Sequence, residues 1–235
     1  MSLANDLSSF AATIVRLGRG VYPAITADRR PDPKQLLELY DFEGCPYCRK
    51  VREVLCELDL DYLVHPVAQG SPRRQELKQL GGKVQVPYLI DPNTHTRLYE
   101  SDDIIRYLFE HYGAGPVPMS LRLGPVTDVT SMLASAWRPA FGARYVPAKR
   151  PEKPLELFSF EASPFSRIVR ERLCALEIPY VLHNVAKGSP SRDAFVKRSG
   201  KMMVPYLIDP NTGTEMFESA DIVRYLDRTY AREEA

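Results

Sequence analysis

The sequence predicts an α/β protein made of two tandem βαβαββα units, each preceded by a helix. Three observations carry this reading. Residues 39–112 align without a gap on 157–230 at a constant offset of 118, with about half the positions identical. Within each repeat, short apolar runs of strand length alternate with segments of helical period. Upstream of each repeat, apolar residues recur at helical spacing. They are Leu7, Phe10, Ile14, Leu17 and Val21 before the first, and Val126, Val129, Leu133, Ala136 and Ala140 before the second.

The elements of the first unit follow in order. Leu36–Phe42 is a short apolar strand, and Pro46–Leu58 is a helix with Val51, Val54, Leu55 and Leu58 on one face. Tyr62–Val67 reads as a second strand. Ser71 as N-cap and Pro72 as first helical residue open a helix that runs to Leu80. Tyr88–Ile90 is a strand, Asp91-Pro92-Asn93-Thr94 a turn, and Arg97–Tyr99 a short returning strand. Ser101 is expected to cap the last helix, with Ile104, Ile105 and Leu108 facing inward. The closing hairpin implies a mixed sheet. The longest run shared by the repeats, VPYLIDPNT, covers this strand and turn at 86–94 and again at 204–212.

Gly113-Ala114-Gly115-Pro116 breaks the last helix and ends the first unit. The expected organisation is an N-terminal helix and connector (1–35), a first domain (36–114), a helical linker (115–154) and a second domain (155–235). In the linker, Trp137 and Phe141 are expected to pack between the units.

Composition narrows the function. The net charge is +1 and no basic stripe is present, which argues against nucleic-acid binding by phosphate neutralisation. No apolar run approaches the roughly 18–20 residues that span a bilayer. The mild apolar stretch from Phe10 to Val15 lacks a basic leader and a small-residue cleavage site, so no secretory signal is expected. Four cysteines in a chain long enough to bury a core fit a reducing compartment, read as cytoplasmic, with organellar import left open.

Two of those cysteines form the sequence Cys45-Pro46-Tyr47-Cys48, at the passage from a strand into a helix. A thiolate at a helix N-terminus is stabilised by unpaired N–H groups and by the helix dipole. Cys45 is therefore the candidate nucleophile. Pro46 suits the first helical position, where its missing N–H costs nothing. Cys48, one turn on, can displace a mixed disulfide and close an intramolecular one. A structural disulfide and a zinc half-site are the alternatives. Zinc needs further thiolate or imidazole ligands, and the second repeat offers Ser163 and Ser166 at the matching positions, so no metal site is expected.

These residues carry a family resemblance. CPYC after a first strand resembles the glutaredoxin motif. CPYC followed by Val86-Pro87 and Glu100-Ser101 resembles the N-terminal, thioredoxin-like domain of glutathione S-transferases, and the resemblance covers both repeats. It implies two thioredoxin-like domains and glutathione as cosubstrate. It further implies a cis Pro87, with the Val86 backbone pairing with the cysteinyl part of glutathione. Glu100 would hold the ammonium of the γ-glutamyl end and Ser101 its carboxylate. Lys83 would approach the glycyl carboxylate, and Tyr47 would shape access. The matching set in the second unit is Ser163, Lys201, Val204, Pro205, Glu218 and Ser219.

Ser163-Pro164-Phe165-Ser166 resembles the start of tau-class transferases, which implies a serine hydroxyl donating to the glutathione thiolate. In the transferases that this pattern resembles, a large all-helical domain follows the thioredoxin-like one; here the second unit is expected in that place. The CPYC domain behind a helix also resembles the type 2 membrane-associated prostaglandin E synthases. The leading expectation is a glutathione-dependent thiol–disulfide oxidoreductase acting on a disulfide or an electrophilic small-molecule or protein substrate. A glutathione transferase or isomerase, and a non-catalytic glutathione-binding module, are the alternatives. The chain is expected to act as a monomer with an internal pseudo-dimer, or as a homodimer.

Two further matched pairs are read as structural. Cys56 and Cys174 fall on the apolar face of the first helix of each unit. His65 and His183 end the second strand of each unit.

Overall fold

A computed structural model describes residues 21–22, 32–113 and 144–232. The expected helices within 1–20 and 125–142, the Gly-Pro boundary after Gly113, and Trp137 and Phe141 lie outside the described residues. The first unit contains β1 (Leu37–Asp41), α1 (Pro46–Glu57), β2 (Tyr62–Pro66), α2 (Arg73–Gly81), β3 (Tyr88–Asp91), β4 (Thr96–Tyr99) and α3 (Ser101–Tyr112). The second repeats it as β5 (Leu155–Ser159), α4 (Pro164–Ala175), β6 (Tyr180–Asn184), α5 (Ser191–Ser199), β7 (Tyr206–Asp209), β8 (Thr214–Phe217) and α6 (Ser219–Tyr230). Both are βαβαββα, as the pattern predicts.

In each unit the first two strands run parallel and the hairpin adds two antiparallel ones. The units are not separate sheets. Strand β2 pairs antiparallel with β6, so the order is β4-β3-β1-β2-β6-β5-β7-β8 in one eight-stranded sheet. Tyr62 faces Leu182, Leu63 faces Val181 and Val64 faces Tyr180. At the repeat offset Tyr62 corresponds to Tyr180, so the contact is reciprocal about Leu63 and Val181. Two strands that would each expose an unpaired edge cover one another. One apolar cluster runs through both units, from Leu37, Val51 and Leu108 to Leu155, Val169 and Leu226.

The run VPYLIDPNT carries one carboxylate that makes the same hydrogen bonds in both units. Asp91 accepts from the backbone N–H of Asn93 at 2.7 Å and from the hydroxyls of Tyr107 at 2.6 Å and Tyr112 at 2.5 Å. Asp209 does the same with Asn211, Tyr225 and Tyr230. Burial raises the Asp91 pKa, but these hydrogen bonds outweigh it and leave it below its ordinary value. The turn is thus bolted to the last helix of each unit.

Two expected helix starts shift. Pro72, not Ser71, is the N-cap of α2, and the helix begins at Arg73. Glu100, not Ser101, caps α3 and does so through its backbone, its carbonyl accepting from Ile104 at 3.0 Å. Ser101 becomes the first helical residue. No helix among the described residues is long and apolar enough to cross a membrane.

Candidate functional site

The chain turns tightly after β1, with the Cys45 N–H donating to the Phe42 carbonyl at 2.9 Å, and Cys45 becomes the N-cap of α1. Its sulfur accepts from the Cys48 backbone N–H at 3.4 Å. Cys45 is 8 % exposed and Cys48 fully buried. The two thiols have opposite tendencies. A hydrogen bond from Cys48 lowers the Cys45 pKa to about 7 against the effect of burial, helped by the N–H groups of Cys48 and Tyr47 and the charge of Arg52. Burial pushes Cys48 well up, and the hydrogen bond and charge of Cys45 and the charge of Asp41 add to it. No disulfide joins any of the four cysteines. Cys56 and Cys174 are core residues, pushed up by burial.

Beside the motif lies a groove of about 430 Å³ lined by Tyr47, Lys50, Gln85, Val86, Pro87, Glu100, Ser101 and Asp102. It gathers most of the residues expected from the sequence. The Val86–Pro87 peptide is cis, as is Val204–Pro205. Strand β3 begins only at Tyr88, so Val86 lies beyond the ladder and lines the groove. Ser101 opens α3, whose first N–H groups favour an anion. Glu100 has φ +65°, a conformation that L residues rarely adopt, and Gln85 Nε2 holds its carboxylate at 2.6 Å. Neither cysteine lines the groove, and Lys83 stands over the Tyr99 ring at 4.3 Å instead.

Lys50, Gln85 and Asp102 were not singled out in the sequence. Lys50 Nζ meets Asp102 Oδ1 at 2.7 Å on the groove wall. The signal for them lies in the differences between the repeats. At the matching positions the second unit has Ile168, Met203 and Ala220. It keeps the framework: Ser163 caps α4 and accepts from the Ser166 N–H at 3.3 Å, and Glu218 has φ +68° before Ser219. Lys201 stands over Phe217 at 4.4 Å, as Lys83 does over Tyr99. So the second copy retains the backbone of the site and loses its charged wall.

A second cluster, also unanticipated, joins the units behind the cysteines. Arg52 Nε donates to Glu161 Oε2 at 3.1 Å, and Arg170 Nε donates to Glu43 Oε2 at 3.1 Å. Arg52 Nη2 also reaches the Glu43 carbonyl at 3.2 Å, and Arg170 Nη2 the Glu161 carbonyl at 3.3 Å. All four side chains are buried. The two arginines hold Glu161 at about 2 despite its burial. The symmetry fails at one place: Arg52 Nη1 meets Asp41 Oδ2 at 2.5 Å, whereas Arg170 Nη1 meets the Ser159 hydroxyl at 3.5 Å.

His65 bonds Glu38 at 2.8 Å within its unit, and His183 bonds Asp61 of the other unit at 2.6 Å. Among the described residues no three His, Cys, Asp or Glu side chains are grouped to hold a metal ion.

A Glutathione S-transferase-like protein of Aspergillus fumigatus, tpcF, is 33 % identical over 70 residues, which is 30 % of this chain and 31 % of that protein. A Glutathione S-transferase-like protein of Aspergillus terreus, gedE, matches to the same extent. The chain thus spans about a third of the length of these curated relatives. Among solved structures, a Bombyx mori glutathione transferase in complex with GTT is 26 % identical, with TM-score 0.30, over 35 % of this chain and 39 % of that one. A trimeric Leishmania glutathione transferase, TDR1, is 16 % identical, with TM-score 0.31, over 86 % of this chain and 68 % of that one. The N-terminal domain of glutathione S-transferases matches at residues 39–116 and again at 157–234. The chain belongs to the glutathione S-transferase N-terminal domain family and carries that domain twice.

Proposed function

We propose that the protein is a glutathione-dependent thiol–disulfide oxidoreductase that works through Cys45 of the first unit. The observation that carries this reading is the placement of the pair at the start of α1: Cys45 is the N-cap, its sulfur accepting from the Cys48 N–H at 3.4 Å, and Cys48 is buried one turn on, which agrees with a Cys45 pKa lowered to about 7 and a Cys48 pKa pushed up by burial. A thiol titrating near ambient pH is close to the optimum for disulfide exchange, since it is both ionised and still nucleophilic. The groove beside it offers partners for a zwitterionic peptide. Glu100 suits an ammonium, the α3 N-terminus at Ser101 suits a carboxylate, and the Val86 backbone suits an extended strand.

The Cys45 thiolate attacks the glutathione sulfur of a mixed disulfide. The Cys45–glutathione bond forms, the old S–S bond breaks, and the substrate leaves as a thiolate. A second glutathione then attacks the glutathione sulfur on Cys45, releasing glutathione disulfide. Alternatively Cys48 closes onto Cys45. Both routes consume reduced thiol, which suits a reducing compartment.

Alkylation of the reduced protein by iodoacetamide tests the premise. Cys45 should react with a midpoint near pH 7, and a midpoint at the ordinary thiol value of about 8.5 would remove the physical basis. In a glutathione-coupled disulfide reduction assay Cys45→Ser should abolish turnover, and Cys48→Ser should retain it if glutathione resolves the intermediate.

A transferase or isomerase at Ser163 has support in the N-cap geometry of that serine. The loss of the charged wall at Ile168, Met203 and Ala220 weighs against it. Turnover of an aromatic electrophile that survives Cys45→Ser and fails in Ser163→Ala would favour this reading over the first.

A further inference from the structure

We propose that His95 and His111 form a binding site for a divalent transition-metal ion of the class that imidazole favours, copper, nickel or zinc. The site is separate from the groove beside Cys45 and goes beyond the oxidoreductase reading.

The turn between β3 and β4 and the last turn of α3 border a second groove, of about 470 Å³. His95 and Asn93 line it from the turn, His111 and Tyr112 from the helix, and Asp32 and Lys34 from the chain before β1. His111 follows Ser101 by ten residues (111 minus 101), about 15 Å along α3, which sets this groove apart from the thiol site. Of the chain's four histidines, His65 and His183 are engaged by Glu38 and Asp61. The other two line this groove, and both are exposed.

A short series of contacts brings the two imidazoles to one place. His111 stacks on the Tyr107 ring with centroids 4.0 Å apart. The Tyr107 hydroxyl bonds the hydroxyl of Thr94, the residue before His95, at 2.6 Å. His111 Nδ1 lies 3.0 Å from the Tyr107 carbonyl. A carbonyl oxygen only accepts, so Nδ1 carries the ring hydrogen and Nε2 keeps its lone pair. A metal-bound imidazole has this arrangement: its second nitrogen donates to a carbonyl or carboxylate, which fixes the tautomer and the ring.

The second unit repeats the frame without the ligands. Tyr225 bonds Thr212 at 2.6 Å, as Tyr107 bonds Thr94. At the places of His95 and His111 it has Gly213 and Thr229. Gly213 has φ +72°, which glycine adopts freely, whereas His95 holds φ +56°. The fold therefore does not need a side chain at this turn, and the first unit keeps an imidazole there in a backbone conformation that L residues adopt at a cost. No third His, Cys, Asp or Glu is grouped with the pair among the described residues, so water completes the coordination sphere. An ion held by both rings ties the hairpin turn to the end of α3 and stabilises the folded unit.

Nickel is the probe. Untagged full-length protein carrying Cys45→Ser and Cys48→Ser, so that the motif's thiols do not compete, is titrated with Ni²⁺ by calorimetry and melted with and without the ion. One equivalent should bind per chain and raise Tm. His95→Gly and His111→Thr copy the second unit. Each should weaken binding by about 10–100-fold, at least the loss that follows removal of a ligand's outer partner, and should abolish the Tm shift. His65→Gln should leave both unchanged. His95→Gly also relieves the positive φ, so binding lost in that variant does not reflect unfolding. Nickel binding that survives both substitutions, or the lack of any saturable binding before them, would overturn the proposal. Neither result bears on the oxidoreductase reading, which rests on Cys45.

Discussion

Arg52 and Glu161 meet across the boundary between the two units at 3.1 Å, and Arg170 and Glu43 return the contact at the same distance. Each arginine also binds the backbone of its own unit. The contact therefore fixes the turn that precedes each pair of cysteines or serines as well as the interface.

Removing one member of this clamp strands buried charge. Glu161→Ala leaves Arg52 and Arg170 sharing only Glu43 and Asp41. It should cost about 3–5 kcal/mol, the usual penalty for breaking a buried pair. Urea denaturation measures this directly. A loss under about 1 kcal/mol would mean that water enters the interface.

The charged wall should decide which unit takes glutathione. Calorimetric titration of the reduced protein should give one site per chain. Lys50→Ile, Gln85→Met and Asp102→Ala together rewrite the first groove as the second. They should weaken binding by about tenfold, the equivalent of one charge-assisted contact. Two equivalent sites in the wild type would contradict this assignment.

Glu100 combines an unfavourable backbone with a place in the groove. Glu100→Gly relieves the positive φ and should raise stability by about 1 kcal/mol. It should weaken glutathione binding in the same protein. Thermal melts and the titration are read together, and a variant that binds as tightly as wild type would show the carboxylate to be idle.

His183 links the units in a pH-dependent way. Burial lowers its pKa, but the hydrogen bond and charge of Asp61 and the charge of Glu156 win and raise it. A raised value stabilises the fold fully below the unfolded value of about 6.5 and loses that contribution as pH climbs through the folded value. His183→Gln should therefore cost on the order of 1 kcal/mol at pH 5.5 and less at pH 9. A gap that widens with pH would reverse the assigned sign.

Much of the fold was written in the sequence. Apolar period and turn residues placed every strand and helix of the first unit to within two residues, because each element buries one face against its own unit. The join of β2 to β6 was not legible. Period two says which face of a strand is buried, not what its edge will meet. The capping of α3 was misread because Ser is the better N-cap by local preference, whereas Gln85 and the groove hold Glu100 there. The clamp left a faint trace. Arg52 sits four residues from both Cys48 and Cys56 on an apolar face, and Arg170 repeats it. Charged residues on helices usually face water, so only the repetition hinted at a buried partner.

The junction of β2 with β6 places a two-fold axis inside a single polypeptide. In an assembly of two identical chains every substitution enters both sides of the axis at once. A carboxylate at position 41 would then arrive as two buried acids at one interface, and a serine in place of a cysteine would silence both sites. The covalent link between the repeats lifts that restriction. One half keeps Asp41, Cys45, Cys48 and Lys50, while the other fills the same places with Ser159, Ser163, Ser166 and Ile168. The fold can thus hold a charged, reactive half and a quiet half against each other.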